Sequence, residues 1–268
     1  MKQWLRTWLF LAVNFPLRLI GLRLVTVHTP TRNFGEFFRH IKSCGLDFRS
    51  IIDVGIARGS PDLYSAFPAA AYYLVEPVPE CGPALEKLRR TLGAQVFNVA
   101  AGAEDGELEF FVHPDISGSS KFRQWEGEFF DGSRRLVPVR RLDSLVPQTI
   151  ERPCLLKIDT QGAELEVLAG ASALIPLIDM IVVEVSFHEF RKGAPEFNAI
   201  VTALDRLGFA CYEVIDGHYR AFDNALAQVD LVFVKPDSRL RQQKAFFSKS
   251  QAYSYLGAKE TGGIPDSN

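Results

Sequence analysis

A chain of 268 residues with 47% hydrophobic and 23% charged residues has the composition of an ordinary globular domain, long enough to bury a substantial core. Its formal net charge of −2 lacks the basic surplus typical of nucleic-acid binding, so we expect no nucleic-acid partner. The four cysteines and five histidines lack the spacing of a zinc site, which predicts no bound metal. Scattered free thiols are typical of a reducing compartment, and we expect a cytoplasmic protein.

Residues 1–45 are predicted to form helices that precede the main domain. Residues 2–25 are basic and strongly apolar, yet their uncharged run, residues 7–17, is too short to span a bilayer. Two interpretations fit them. One is a pair of amphipathic helices packed on the domain and broken before Pro16; the other is an interfacial helix, which would place the protein peripherally at a membrane. Residues 29–45 predict a further helix with phenylalanines on one face.

Residues 46–236 have the alternating pattern of a single domain built on a parallel sheet. The predicted strands are 50–54, 71–75, 94–100, 154–159, 178–185, 209–214 and 229–235, and the predicted helices begin at Pro61 or span 79–92, 163–174 and 194–207. No segment of helical length separates the last two strands, which predicts an antiparallel pair. Residues 237–268 form a polar tail, with disorder expected from residue 257.

An insertion at residues 104–142 interrupts this alternation. Residues 107–112 and 134–142 predict a β-hairpin, and the long loop between them, typical of a binding loop or lid, includes residues 117–121, which could close over a substrate. The predicted fold is therefore α/β, with about seven strands in a mostly parallel sheet, an antiparallel last strand and a hairpin insertion. This is the layout of the Rossmann-like class I methyltransferases.

Two short segments predict a nucleotide pocket. Residues 51–59 are an apolar run that ends in Asp53 and two glycines, and Glu76 ends another apolar run 23 residues after Asp53. The glycine spacing differs from the G-x-G-x-x-G of NAD enzymes. S-adenosylmethionine carries an ammonium and a sulfonium instead of a pyrophosphate, so an acid at Asp53 favours it. Gly55 and Gly59 would let the backbone approach the ligand, and Glu76 can accept both ribose hydroxyls. An NAD-linked oxidoreductase remains the alternative.

A longer motif makes the resemblance specific. Residues 156–170 read LKIDTQGAELEVLAG and follow the pattern K-I-D-x-E-G-x-E-x-x-x-L-x-G. Together with Asp53-Val54-Gly55, Gly59, Glu76-Pro77 and Leu142-Asp143-Ser144-Leu145, they resemble the FkbM family of methyltransferases over residues 50–235. The resemblance implies that S-adenosylmethionine is the cofactor and that a hydroxyl of a sugar, glycolipid or secondary metabolite is methylated. The partner is then a small-molecule or glycan acceptor.

The same resemblance implies the site residues. The cofactor-binding set is Asp53, Gly55, Ala57, Gly59, Glu76 and Asp159, and the catalytic candidates are Asp159, His188 and Lys157. Asp159 ends a strand and is the first candidate for the base, or for the group that orients the acceptor; His188 is the second. The chain departs from the family at residues 56–58, where A-N-x is usual, and at Gln161, where Glu is usual. The missing carboxylate leaves open a non-catalytic, membrane-associated binding protein that uses residues 2–25.

Overall fold

The computed structural model of the protein describes residues 12–17, 24–25, 29–30 and 32–256. The strands are β1 (Ser50–Val54), β2 (Ala71–Val75), β3 (Gln95–Phe97), β4 (Ala100–Ala101), β5 (Gly106–Val112), β6 (Ser133–Arg140), β7 (Cys154–Ile158), β8 (Met180–Ser186), β9 (Ala210–Tyr219) and β10 (Leu226–Val234). The helices are α1 (Phe34–Ser43), α2 (Pro61–Ala66), α3 (Gly82–Leu92), α4 (Glu128–Asp131), α5 (Leu142–Leu145), α6 (Glu164–Ala169), α7 (Phe197–Arg206) and α8 (Lys249–Leu256).

The described residues contain a seven-stranded central sheet with the order β3-β2-β1-β7-β8-β10-β9. Strands β3, β2, β1, β7 and β8 are parallel, whereas β10 pairs antiparallel with both β8 and β9. The chain order reverses at β1, which lies between β2 and β7. Open α/β sheets bind ligands at the carboxyl ends of the strands beside such a reversal. The predicted Rossmann-like α/β fold and its antiparallel last pair are confirmed.

A hydrophobic core covers each face of this sheet. One core includes Phe38 of α1 and Leu63 of α2, and the other includes Leu204 of α7. Because successive side chains of a strand point to opposite faces, Ile51 and Asp53 of β1 both face α1 and α2. The buried strands β1 and β7 are apolar in almost every position, as expected where helices cover both faces.

Helix α1 begins where local capping is strongest. The side chain of Asn33 accepts a hydrogen bond from the N–H of Glu36, and the Glu36 side chain accepts one from the N–H of Asn33, which completes a capping box. Phe37 and Ile41 are fully buried in the core shared with β1. The helix predicted within residues 29–45 is confirmed, with a later start because the cap fixes its first turn.

The insertion forms a second, three-stranded sheet with the order β4-β6-β5. Strands β5 and β6 pair antiparallel, which confirms the predicted hairpin, and β4 pairs parallel with β6. The single strand predicted over residues 94–100 is therefore wrong. Its first part is β3, a three-residue edge strand beside β2, and the chain then bends so that Ala100 joins the second sheet. Short edge strands resist pairing with other chains.

The helix predicted over residues 163–174 is too long. Helix α6 ends at Ala169, and a turn and a 3-10 helix (Ile175–Leu177) follow. A Cβ on Gly170 would lie 2.0 Å from the carbonyl oxygen of Gly102, so backbone meets backbone at this point. This close packing leaves no room for a side chain at residue 170. Helix α7 also starts later than its predicted residue 194, because Pro195 lies before its first turn.

The structure describes only part of each end of the chain. Residues 12–17 are helical and include Pro16, so the predicted break before Pro16 is wrong. The φ of proline lies in the helical range, and the helix continues through it although one N–H bond is lost and the ring crowds the preceding turn. The rest of residues 2–25, apart from 24–25, and the predicted disorder from residue 257 lie outside the described residues. Within the part of the chain that is described, no helix is long and apolar enough to cross a membrane.

Candidate functional site

Three hollows meet beyond the carboxyl ends of β1 and β7. The front pocket, about 540 Å³, lies against β1, β2 and the insertion. The side pocket, about 510 Å³, lies between α1, the start of α2 and Lys157. The rear pocket, about 340 Å³, lies between Gln161, the end of β8 and residues 187–195. Asp159 lines the front and side pockets, and Gln161 lines the front and rear pockets, so the segment after β7 joins all three.

The turn after β1 packs directly on the turn after β7. Gly55 has φ +78°, and a Cβ on it would lie 1.8 Å from the carbonyl oxygen of Asp159. The packing of one turn against the other therefore requires glycine at residue 55. From the sequence, the expected reason for this glycine is only the approach of the backbone to a ligand. Ala57 has φ +44° and lines the front pocket. Gly59 lines the side pocket.

Glu76 closes the wall of the front pocket. Its side chain is buried, and its two oxygens accept the N–H groups of Ala57 at 2.8 Å and Val78 at 2.9 Å. Burial raises the pKa of Glu76, and these two backbone hydrogen bonds oppose the shift. A carboxylate has about four lone-pair sites. Glu76 therefore keeps acceptor capacity for hydroxyl groups of a ligand in the front pocket.

Asp53 lies behind the pocket wall, on the α1 face of the sheet. It is fully buried, the Tyr64 hydroxyl donates to its Oδ2 at 2.8 Å, and Lys157 Nζ lies 3.8 Å from its Oδ1. Burial raises the pKa of Asp53, and the Lys157 charge opposes that shift. The strand alternation that turns this acid toward α2 explains why it contacts Tyr64 and Lys157, whereas the sequence had suggested contact with a ligand. Tyr64 was not singled out from the sequence.

The Asp159 carboxylate is held by two neighbouring side chains and is partly accessible to solvent. Its side chain is 31% exposed; Lys157 Nζ lies 3.4 Å from its Oδ2, and Gln161 Nε2 donates to its Oδ1 at 3.0 Å. Burial alone would lower the pKa of Lys157, but the carboxylates of Asp159 and Asp53 outweigh burial and raise it. The ammonium therefore stays charged and fixes the Asp159 carboxylate at the junction of the pockets.

A buried polar chain continues behind Asp159. Gln161 Nε2 also donates to Glu184 Oε2 at 2.5 Å, and Gln228 Nε2 donates to the same oxygen at 2.7 Å. Glu184 lies opposite Asp230 in the β8–β10 ladder. Burial, with the nearby charges of Asp159 and Asp230, raises the pKa of Glu184 well above its ordinary value. Sequence reasoning did not single out Asp230, although an acid within an apolar strand was a readable signal.

His188 is separate from the front pocket. It lines the rear pocket together with Glu184 and Arg191, and its ring lies 5.6 Å from that of Phe190. The structure therefore brings Asp159 and Lys157 together and places His188 on the other side of Gln161. Among the described residues, no group of three or more His, Cys, Asp or Glu side chains is arranged to hold a metal ion.

Residues 113–121 of the insertion roof the front pocket; we call them the roof segment. Ser117 and Ser119 line the pocket. The Ser120 hydroxyl donates to the carbonyl oxygen of Gln161 at 2.7 Å, and Lys121 forms an ion pair of 2.5 Å with Glu166 of α6. Arg58 Nη2 donates to the carbonyl oxygen of Asp115 at 3.3 Å. The roof segment is thus tied to both turns that form the pocket.

The fold and this pocket define an α/β protein that binds a nucleotide-like ligand at the reversal point of its sheet. The family described as the methyltransferase FkbM domain matches residues 53–211, more than half of the chain. The protein belongs to this family, which confirms the resemblance seen in the motifs. It is a methyltransferase, and S-adenosylmethionine is its cofactor.

Two individual relatives are each 28% identical to this chain over their aligned residues. The chain is 28% identical to the 2-O-methyltransferase NoeI of Sinorhizobium fredii over 176 residues, which are 58% of this chain and 70% of that protein. It is 28% identical to Methyltransferase 1 of Beauveria bassiana over 183 residues, 60% of this chain and 72% of the relative. A solved structure of magnesium protoporphyrin IX methyltransferase (ChlM) from Synechocystis PCC 6803, with bound SAM, aligns with 86% of this chain and 96% of its own at 14% identity and a TM-score of 0.42.

The residues of the front pocket fit S-adenosylmethionine. Its wall presents Glu76, which has free acceptor capacity, and apolar side chains such as Val75 and Phe110. The absence of a pyrophosphate from this cofactor agrees with a pocket whose wall carries two carboxylates, Glu76 and Asp159.

Proposed function

We propose that the protein methylates a hydroxyl group of a small molecule or glycan. The observation that carries the proposal is the position of Asp159, whose partly exposed carboxylate is fixed by Lys157 and Gln161 where the front and side pockets meet. A hydroxyl must lose a proton when it accepts a methyl group, and a carboxylate at that point can take it. The relative described as a 2-O-methyltransferase supports an oxygen acceptor.

In this proposal the front pocket holds the cofactor, whose sulfonium supplies a reactive methyl group when it is bound. Glu76 accepts hydrogen bonds from the ribose, and the Gly55–Gly59 turn supplies backbone around the rest of the ligand. Asp53 acts from behind the wall by holding Lys157 and Tyr64 in place. These roles are assigned from position and chemistry, and the alignment of acceptor with methyl group is their main contribution.

Asp159 is the proposed base, or the group that orients the acceptor hydroxyl. Lys157 holds its carboxylate in place. His188 is the second candidate for the base, reached by an acceptor that extends past Gln161 into the rear pocket. The acceptor is a neutral hydroxylated molecule in this proposal; nucleic acid is not the partner, since the chain has a net charge of −2. The working compartment is the cytoplasm, with residues 2–25 as a possible contact to a membrane surface.

A second candidate is a binding protein of the same family without activity. The observation that favours it is Gln161, which stands where the family pattern has Glu and which binds Asp159 and Glu184 through one amide. Such a protein would bind the cofactor but transfer no methyl group. The NAD-linked alternative has lost its support, because the chain belongs to a methyltransferase family.

Cofactor binding is tested by thermal denaturation with S-adenosylmethionine, S-adenosylhomocysteine and NAD. A hundredfold excess over the dissociation constant should stabilise the protein by about 2.7 kcal/mol with the first two ligands only. Glu76→Gln should weaken binding by about tenfold or more, since it loses a charge-assisted acceptor. The control Glu80→Gln changes an exposed acid and should bind normally. Stabilisation by NAD alone would contradict the pocket assignment.

Activity is tested by transfer of a labelled methyl group to a panel of hydroxylated acceptors. Labelled product on an oxygen would support the proposal. Tight binding of S-adenosylmethionine without transfer to any acceptor would favour the inactive binding protein. Transfer to an amine or thiol, and to no hydroxyl, would show that the acceptor atom is wrong.

A further inference from the structure

The rear pocket is a polar hollow that adjoins the cofactor pocket. Gln161 forms part of the wall of both. The other polar side chains of the rear pocket are Glu164, Glu184, Ser186, His188 and Arg191. The acceptor hydroxyl must lie near Asp159, one hydrogen bond away from Gln161. A larger acceptor bound at Asp159 could therefore continue into this hollow.

Arg191 has an unused donor in the rear pocket. The residue is only 8% exposed, and its Nη2 donates to the carbonyl oxygen of Gly118 in the roof segment at 3.1 Å. Its Nε is buried and has no hydrogen-bond partner among the described residues. A buried donor without a partner destabilises the protein, because it has lost its hydrogen bonds to water. A guanidinium held in this way is suited to a ligand that supplies the missing acceptor.

Glu184 offers the complementary acceptor. Both of its hydrogen bonds, from Gln161 and Gln228, end on Oε2. Its Oε1 carries no hydrogen bond from any of the residues described in the structure. Glu184 is partly accessible, and it lines the rear pocket. A group in the hollow that can donate a hydrogen bond would therefore find an acceptor opposite Arg191.

The charges of the hollow favour a neutral ligand. Burial raises the pKa of Glu184 and of Glu164 and lowers that of Arg191, so the hollow disfavours charge on all three groups. Glu164 is occupied by the Gly162 N–H and the Thr160 hydroxyl. A charged ligand would likewise lose its hydration in this hollow. A hydroxyl can accept from Arg191 and donate to Glu184, and it adds no charge.

We propose that the rear pocket is an acceptor subsite that binds one hydroxyl group of a neutral substrate through Arg191 Nε and Glu184 Oε1. This inference rests on the proposed function, because it assigns the hollow to the same acceptor. Arg191 and Glu184 then determine which acceptors fit, while Asp159 acts at the hydroxyl that is methylated. The Gln161 amide lies between the carboxylates of Asp159 and Glu184 and donates a hydrogen bond to each.

The test is direct binding of neutral methyl glycosides of hexoses and 6-deoxyhexoses, measured by saturation-transfer NMR with and without S-adenosylhomocysteine. Arg191→Lys keeps the charge but removes Nε–H, and Glu184→Gln replaces the free acceptor with a donor. Each variant should bind the glycosides about tenfold more weakly or worse and should bind S-adenosylhomocysteine normally. The control Arg152→Lys alters an arginine paired with Asp179, remote from the rear pocket, and should bind like the unmodified protein.

Three results would overturn the subsite: no glycoside signal in either condition, undiminished signals in both variants, or binding of glucuronate or glucosamine at least as strong as that of the neutral glycosides. Circular dichroism of each variant identifies loss of fold, and Ser186→Ala then serves as a second probe of the same wall. Failure of S-adenosylhomocysteine to bind would contradict the proposed function. The glycoside titration without that ligand still judges the rear pocket separately.

Discussion

At the scale of single residues, Ala57 in the turn after β1 has an unusual backbone conformation and also lines the front pocket. Ala57 has a positive φ of +44°, a region that costs an L-residue with a Cβ about 1–2 kcal/mol. The same residue donates its N–H to Glu76. The family pattern has Asn at this place, and Asn tolerates positive φ better than Ala does. This chain therefore keeps a strained residue on the wall of the cofactor pocket.

Replacing Ala57 with glycine should raise the free energy of unfolding by about 0.5–1 kcal/mol, because glycine adopts a positive φ without steric cost. The matched control is Ala203→Gly within α7, which should lower the free energy of unfolding by about 1 kcal/mol. Urea denaturation measures both. Destabilisation by similar amounts in the two variants would mean that Ala57 is not strained.

Replacing Asp159 with asparagine should leave S-adenosylmethionine binding within a few-fold of normal and lower kcat by about 10²–10⁴, since the base is lost while the side-chain shape remains. Binding calorimetry and labelled-methyl transfer measure the two effects. The exposed Asp205 of α7 provides a control, and Asp205→Asn should transfer methyl groups normally. Normal turnover by Asp159→Asn would exclude Asp159 as the base and would direct attention to His188.

At the scale of elements, the pairing of β8 with β10 places two acids against each other in a buried sheet. Glu184 and Asp230 are partners in the antiparallel register. Burial raises the pKa of Asp230 to about 7, with Lys157 opposing and Asp159 adding to the shift. An acid whose pKa is higher in the folded protein than its ordinary 3.8 binds its proton more tightly when folded. Its stabilising contribution is therefore complete below about pH 4 and is lost as pH rises through about 7.

Replacing Asp230 with asparagine should remove this dependence. Relative to the unmodified protein, the variant should gain on the order of 2 kcal/mol between pH 5 and pH 8, because the ionised acid no longer has to be buried. Asp223→Asn is a control of opposite sign: hydrogen bonds from Arg220 lower the pKa of Asp223, so its contribution is lost at acid pH. Guanidinium titrations between pH 5 and pH 8 measure the effect at Asp230, and titrations below about pH 4 measure the effect at Asp223. An unchanged pH slope in Asp230→Asn would show that Asp230 does not retain the proton.

At the scale of the whole molecule, the insertion and the central sheet form the front pocket together. The sheet supplies the floor and the two turns, and the roof segment supplies the cover through Ser120, Lys121 and Asp115. The contact of Gly170 with Gly102 and the parallel pairing of β4 with β6 join the two sheets behind the pocket. Opening the roof must therefore break contacts to both turns.

S-adenosylhomocysteine should slow tryptic cleavage after Lys121 by more than about tenfold at a hundredfold excess over its dissociation constant, because opening the roof would release the ligand. Cleavage after Arg220, in the exposed β9–β10 turn, should proceed at the same rate with and without ligand. Mass spectrometry of the fragments measures both sites. Equal rates at Lys121 with and without ligand would mean that the roof segment does not cover the bound cofactor.

The sequence alone determined the order of strands and helices along the chain, the hairpin insertion and the family motif. These follow from local patterns, such as the apolar run ending in Asp53, which act through neighbouring residues. Element ends were less well predicted. Helix α6 stops at Ala169, and the next residue, Gly170, packs against the carbonyl oxygen of Gly102, a contact between distant segments of the chain.

Only the tertiary structure decided where the site residues lie. It turned Asp53 away from the front pocket, placed His188 behind Gln161, and brought Asp230 beside Glu184 and Arg191 beneath the roof segment. Each of these placements depends on strand register, on the face of the sheet or on packing between distant segments. Register and packing are set by the burial of the whole sheet. The motif therefore indicated the kind of reaction, and the fold determined where each side chain lies.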